Sequence, residues 1–300
     1  MYADDETLVL WNPSAGSIQK AGDLRARLEE ENHWRLYESK DREDAIECVR
    51  EACEAGVSRL IVAGGDGTIN SAVEGMMRSD EHQTILGILP LGTGNDFARS
   101  LGISLKPRIA LSQLLESRSR PVDLVHLTSS SGERYFANML TAGNTGVYMD
   151  HLTEEIKHRW GPFSYLRGVI DILQHLKVFE IEVTLADGRE IACEALNVFV
   201  ANGKMSGGGL NVCSQAKLDD GLIDLIIVRN GQTQQIASLT SNYLISDFLE
   251  HELIEYHQAT SLRVDSRPPF PVTVDGDRFG SSPLEATVVH GRIQVLSPGL

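Results

Sequence analysis

The sequence predicts an α/β N-terminal domain on a mainly parallel sheet, residues 1–125, followed by a β-rich sandwich domain, residues 126–300. Three observations predict it. The length, 300 residues, exceeds that of a typical single domain. In the first third, short apolar runs alternate with amphipathic stretches, as strand and helix do around a parallel sheet. Beyond about Val122, strand-like runs follow one another with few helical stretches between them.

In chain order, Thr7–Trp11 reads as a strand and Ile18–Glu31 as a helix. Trp34–Glu38 is a second strand, and Asp44–Ala55 a helix with Asp44 as its cap. Arg59–Val62 is a strand, Ile69–Met77 a helix and Thr84–Leu89 a strand. In the second part, strands are expected at Val178–Leu185, Glu190–Ala201, Leu222–Val228, Ser261–Val264, Val272–Asp275 and Ala286–Val295. Ala186-Asp187-Gly188-Arg189 has the composition of a hairpin turn. The final strand is free to return to the first domain. With no long linker, the two domains are expected to share an interface, and a cleft there is the default place for a ligand.

Composition narrows the function. Hydrophobic residues make up 42% and charged residues 23%, ordinary globular usage. Lys and Arg number 27 against 42 Asp and Glu, a formal charge of −15. That field repels polyanions, so nucleic acid is excluded as a partner, and tight adsorption to anionic membranes is disfavoured. No apolar run approaches the roughly 20 residues of a spanning helix, and Met1–Thr7 carries acids where a signal peptide carries bases. A cytoplasmic protein is expected. Cys48, Cys53, Cys193 and Cys213 form no CxxC pair and read as reduced thiols.

The sharpest motif is Val62-Ala63-Gly64-Gly65-Asp66-Gly67-Thr68-Ile69-Asn70, which follows a strand and opens a helix. Glycines there let the backbone close on an anion, the helix start presents free N–H groups, and Thr68 adds a hydroxyl. The same residues would also serve as a plain strand-to-helix turn with Asp66 and Thr68 as caps. A second loop, Leu89-Pro90-Leu91-Gly92-Thr93-Gly94-Asn95-Asp96-Phe97-Ala98-Arg99, again joins strand to helix. Two such loops at adjacent strand ends converge on one crevice.

Together these motifs resemble the diacylglycerol kinase catalytic family, particularly its small bacterial lipid kinases. Asn12-Pro13-Ser14-Ala15-Gly16, Gly203 with Gly207-Gly208-Gly209, Lys217-Leu218-Asp219-Asp220-Gly221-Leu222-Ile223-Asp224, and Val274-Asp275-Gly276-Asp277 extend the resemblance in the family's order. It implies ATP on Gly65, Asp66, Gly67, Thr68, Ile69, Asn70 and Ser71, with further contacts at Ser39 and Thr93. It implies Mg²⁺ held by Asp220 and the main-chain carbonyls of Lys217 and Leu222, oxygen ligands that suit a hard cation. It gives the role of base toward the acceptor hydroxyl to Asp277, where relatives commonly carry Glu, and links Asp96 with Asp123 in a network of acids. A second departure is Gln215 before Ala216, where relatives usually have proline.

The implied acceptor is a lipid hydroxyl at a membrane surface, met by transient peripheral contact at the inner face. Lys157–Arg167, which interleaves cations with Trp160, Phe163 and Tyr165, is either a membrane-contact segment or an ordinary helix boundary. A homodimer is compatible with the sequence. The other readings are an NAD kinase-like enzyme, which shares the Gly64 loop but not the Gly92 loop, and a nucleotide-binding regulator with weakened turnover.

Overall fold

The computed structural model describes residues 6–17, 24–31, 33–80, 83–145, 176–236, 238–239 and 248–298. The first part alternates β1 (Thr7–Trp11), α1 (Leu24–Glu29), β2 (Trp34–Glu38), α2 (Arg42–Glu54), β3 (Arg59–Gly64), α3 (Asp66–Arg78) and β4 (Ile85–Pro90). The short α4 (Asp96–Ser100) and α5 (Pro107–Glu116) follow. Next come β5 (Arg118–Ser129), β6 (Gly132–Phe136), β7 (Met139–Gly143), β8 (Phe179–Leu185) and β9 (Glu190–Ala201). A small hairpin, β10 (Met205–Ser206) with β11 (Leu210–Asn211), precedes β12 (Ile223–Arg229). The chain closes with β13 (Ile254–Ala259), β14 (Ser261–Arg267), β15 (Pro271–Val274), β16 (Asp277–Ser281) and β17 (Leu284–Ser297).

β2, β1, β3 and β4 lie side by side and parallel. The continuous apolar runs of β1, β3 and β4 follow from helices covering the sheet: β1 is buried along its whole length, while β2 at the edge is half-exposed. α2 shows the complementary helical period, burying Ala45, Ile46, Val49, Ala52 and Cys53. Its cap is Asp41 and not Asp44: the Asp41 carboxylate accepts from the Asp44 amide at 2.9 Å, so the helix begins earlier than its apolar period. In the second part, β8 alternates buried and exposed residues throughout, as a sheet with one wet face requires. The Ala186–Arg189 turn joins it to β9, with Gly188 at φ +84°.

The expected strands are present with ends shifted by a few residues, and the Ile69–Met77 helix starts earlier, at Asp66. The Ile18–Glu31 helix is seen from Leu24, its first part lying outside the described residues. Lys157–Arg167 also lies outside them.

β17 is the seam of the molecule. Its last residues pair in parallel with β4, while it runs antiparallel to β5 from Leu284↔Ser129 to Ser297↔Arg118. β5 gives Val122 and Leu124 to the core under the parallel sheet, and Val125 and Leu127 to the core of the second part. β17 does the same with Ile293 and Val295, then Leu284 and Ala286. A boundary at residue 125 therefore falls inside one strand shared by both cores. Among the described residues, no helix is long and apolar enough to cross a membrane.

Candidate active site

Because β3 and β4 are neighbours, the two glycine loops at their C-terminal ends emerge side by side. The contact is backbone on backbone: a Cβ built on Gly92 would stand 2.4 Å from the Gly65 Cα. The Leu91 amide donates to the Gly64 carbonyl at 2.8 Å, and the Ser17 amide to the Leu91 carbonyl at 2.8 Å. Asn95, at φ +55°, closes the second loop on itself: the Gly92 amide donates to its Oδ1 at 2.9 Å and its Nδ2 donates to the Gly92 carbonyl at 2.8 Å. The Asn12 amide group donates to Thr68 Oγ1 at 2.8 Å, tying the loop after β1 to the first glycine loop.

These loops open onto a cleft of about 380 Å³ whose lining includes Asn12, Ser39, Arg42, Gly67, Thr68 and Asp277. Of the nucleotide residues expected from sequence, Ser39, Gly65, Gly67, Thr68 and Ser71 line it. The others do not. Asp66 turns aside to accept from the Phe97 amide at 3.2 Å. Ile69 is in the core, and Asn70 is buried with both amide-group atoms lacking a hydrogen-bond partner. Thr93 lies over Gly16, its Oγ1 2.4 Å from where a Cβ would stand, at the rim of the same loops.

The two aspartates of Asp275-Gly276-Asp277 face different ways. Asp277 lines the cleft, 3.9 Å from the Arg42 Nε, with its side chain 42% exposed. Asp275, at φ +47°, turns its carboxylate inward to accept from the Met139 amide at 2.8 Å and from the Ala137 amide at 3.4 Å. Burial pushes the Asp275 carboxyl up to about 7; the Met139 amide opposes that shift and the nearby Asp66 charge adds to it.

Asp96 is also turned from the cleft lining. It sits in a nest of the glycine run that joins β10 and β11, accepting from Gly208 N at 2.9 Å and Gly209 N at 2.6 Å. Burial raises its carboxyl above the ordinary range, against the pull of the Gly208 amide, with Asp66 adding to the rise. The expected network between Asp96 and Asp123 is not a direct one. Asp123, fully buried, accepts instead from Gly221 N at 2.7 Å, His290 Nδ1 at 2.8 Å and Gly291 N at 2.6 Å. Those bonds fasten the Lys217–Leu222 turn, whose Leu218 carbonyl also accepts from the Asp123 amide at 2.7 Å. Asp220 Oδ1 accepts from the Leu222 amide at 3.1 Å. This turn supplies oxygen donors of the kind Mg²⁺ takes, although its residues are not among those lining the cleft. Among the described residues, no group of three or more His, Cys, Asp or Glu side chains is placed to hold a metal.

Sequence reasoning did not find Arg42. Its Nη2 donates to Glu74 Oε2 at 2.6 Å, while its Nε is buried without a hydrogen-bond partner. An arginine opening an amphipathic helix reads as a surface residue, and only the packing of α2 against α3 and the Asp277 turn brings it into the cleft.

The profile of the diacylglycerol kinase catalytic domain matches residues 6–127, and that of the YegS C-terminal NAD kinase beta sandwich-like domain matches residues 140–297. The "probable lipid kinase YegS-like" protein of Pseudomonas aeruginosa is 32% identical, covering 99% of this chain and 96% of its own. The chain belongs to the diacylglycerol kinase catalytic-domain family. As a member of that family it is a kinase with ATP as its phosphate donor. The Chromohalobacter salexigens protein of the same description is 30% identical over 98% of this chain and 94% of its own. A Staphylococcus aureus diacylglycerol kinase is 27% identical over 97% and 91%. The crystal structure of a diacylglycerol kinase from Bacillus anthracis has the same fold, with a TM-score of 0.75 at 23% identity over 98% of this chain and 97% of that one.

Proposed function

We propose that this kinase transfers the γ-phosphoryl group of ATP to a lipid hydroxyl, with the triphosphate on the Gly65–Ser71 loop and Asp277 as the base. One observation carries the placement: both glycine loops and Asp277 border a single cleft, although they come from opposite ends of the chain. Gly65, Gly67 and the start of α3 offer backbone N–H groups to the phosphates, Thr68 a hydroxyl, and Ser39 and Thr93 further polar contacts. Asp277 accepts the proton of the attacking hydroxyl as its oxygen bonds to the γ-phosphorus, and the electron pair of the broken P–O bond leaves with ADP. Asp220 and the carbonyls of Lys217 and Leu222 would hold Mg²⁺ outside the cleft lining, where its charge would stiffen the turn that Asp123 fastens. The acceptor is presented by a membrane surface, which a chain of net charge −15 meets by local contact rather than by general adsorption.

The test is transfer of label from γ-labelled ATP into diacylglycerol, phosphatidylglycerol or sphingoid-base vesicles and, separately, into NAD. Label is expected in the organic phase with the unaltered protein. Asp277→Asn is expected to lower kcat by about 10²- to 10⁴-fold with ATP affinity kept, and Asp277→Glu to retain transfer. Label in NAD alone, or ATP binding with no transfer to any acceptor that Asp277→Glu leaves unchanged, would contradict the reading.

A further inference from the structure

The geometry points to Arg42 as a second catalytic residue, the guanidinium that neutralises the phosphoryl group as it crosses from the glycine loop to the acceptor. This rests on the function proposed above. Arg42 and Asp277 border the same cleft as Gly65, Gly67 and Thr68, so a group passing from the loop to a hydroxyl at Asp277 passes Arg42. The guanidinium is tethered at one end, where Nη2 donates to Glu74 Oε2 at 2.6 Å; Glu74 is itself 18% exposed and bound by Arg78 Nη2 at 2.6 Å. Glu74 and the first glycine loop both belong to the α3 segment, so the tether fixes Arg42 relative to the phosphate site. Gly75 keeps α2 and α3 in close contact, a Cβ there standing 2.5 Å from the Ile46 carbonyl.

The other end of the guanidinium is unspent. Nε is buried, makes no hydrogen bond and lies 3.9 Å from Asp277 Oδ2, too far to bond. A buried donor without an acceptor is costly in the free protein, and a turn of the guanidinium toward the cleft would let an arriving phosphoryl oxygen satisfy it. A guanidinium also suits the oxygens of a transferring phosphoryl group better than an ammonium does, because its donors lie in one plane. A second arginine interacts electrostatically with Arg42 and Asp277: Arg134 has its Nη1 likewise buried without a hydrogen-bond partner and its guanidinium carbon 5.3 Å from the centre of the Phe279 ring. Both increase positive potential beside a base that would otherwise repel the phosphates.

An alternative role is structural, with Arg42 merely pinning the Asp277 turn to α3. The experiment separates the two by comparing Arg42→Ala, Arg42→Lys and Glu74→Gln with the unaltered protein. It measures kcat and KM in the labelled-ATP vesicle assay, affinity for ADP and for ADP with aluminium fluoride, both with Mg²⁺, and melting temperature. Arg42→Ala is expected to lower kcat by about 10²- to 10³-fold and to weaken ADP–aluminium fluoride binding in parallel, with ADP affinity and melting kept. Arg42→Lys should recover only part of the rate, and Glu74→Gln should lose less than Arg42→Ala, as befits a positioning residue. Wild-type kcat in Arg42→Ala, or a loss shared equally by ADP binding and melting, would overturn the role of Arg42 and leave the kinase reading standing. An unaltered protein that transfers no phosphate to any lipid would overturn both.

Discussion

Asp275 and Asp277 are two positions apart and have opposite surroundings, because β15 pairs with β7 in a register that sets Asp275 over the Met139 amide while Asp277 opens β16 at the cleft. The consequence is a pH dependence that belongs to Asp275. Its carboxyl is raised from 3.8 to about 7, so between those values the folded protein keeps a proton that the unfolded chain releases. The stabilisation is complete below the lower value and is lost as pH rises through the upper one. Asp275→Asn retains an acceptor for the Met139 amide but does not titrate; its denaturant midpoint, followed from pH 4 to pH 8, is expected to fall less steeply than that of the unaltered protein. Equal slopes would show that the Asp275 carboxyl is not raised. The Asp-Gly-Asp string was legible as a candidate site, and the resemblance singled out Asp277, which lines the cleft; the residues alone do not say which aspartate faces it, because the long-range register in which Val274 pairs with Leu140 decides that. Arg42 was illegible for a similar reason, since its partners Glu74 and Asp277 are brought to it only by packing.

The glycine loops show how two elements define one site. Gly92→Ala would drive a methyl into the Gly65 backbone at 2.4 Å, where no rotamer change gives relief, so the loops must separate. A loss of about 1–3 kcal/mol is expected, as for other overpacked contacts, together with loss of ATP binding. Gly67→Ala is the matched control for melting alone, because its Cβ meets no protein atom within 4 Å and the position is helical, while the residue itself lines the cleft. Thermal melting of both variants and ATP titration of Gly92→Ala check this: equal melting temperatures would contradict the contact. The first-third elements were legible because each has one environment: β1, β3 and β4 are buried on both faces, β2 is a half-exposed edge strand, and the helices bury one face. β5 and β17 were not legible at full length, since each changes core partway and its apolar pattern changes with it. β6, β7, β16 and the five-residue α4 are too short to show a period, and neighbouring strands supply the hydrogen bonds that make the three strands regular.

On the scale of the whole molecule, β5 and β17 join the two cores, and Asp123 of β5 fastens the Lys217–Leu222 turn through Gly221 while accepting from His290 and Gly291 near the middle of β17. The cleft is accordingly assembled from loops near residues 12, 39, 65 and 92 and from the hairpin at 277, an arrangement that follows from β17 returning to β4. Sequence order gave no sign of that return beyond the position of the last strand, because a parallel pairing between residues 85 and 294 has no local signature. The central claim is that one nucleotide spans both glycine loops, and amide hydrogen exchange with and without saturating ATP and Mg²⁺ tests it most directly. ATP is expected to slow exchange together at Gly65–Ser71, Gly92–Asn95 and Ser39–Arg42, with the Asp277 turn responding less. Protection of only one loop, or of none at saturating ATP, would contradict it.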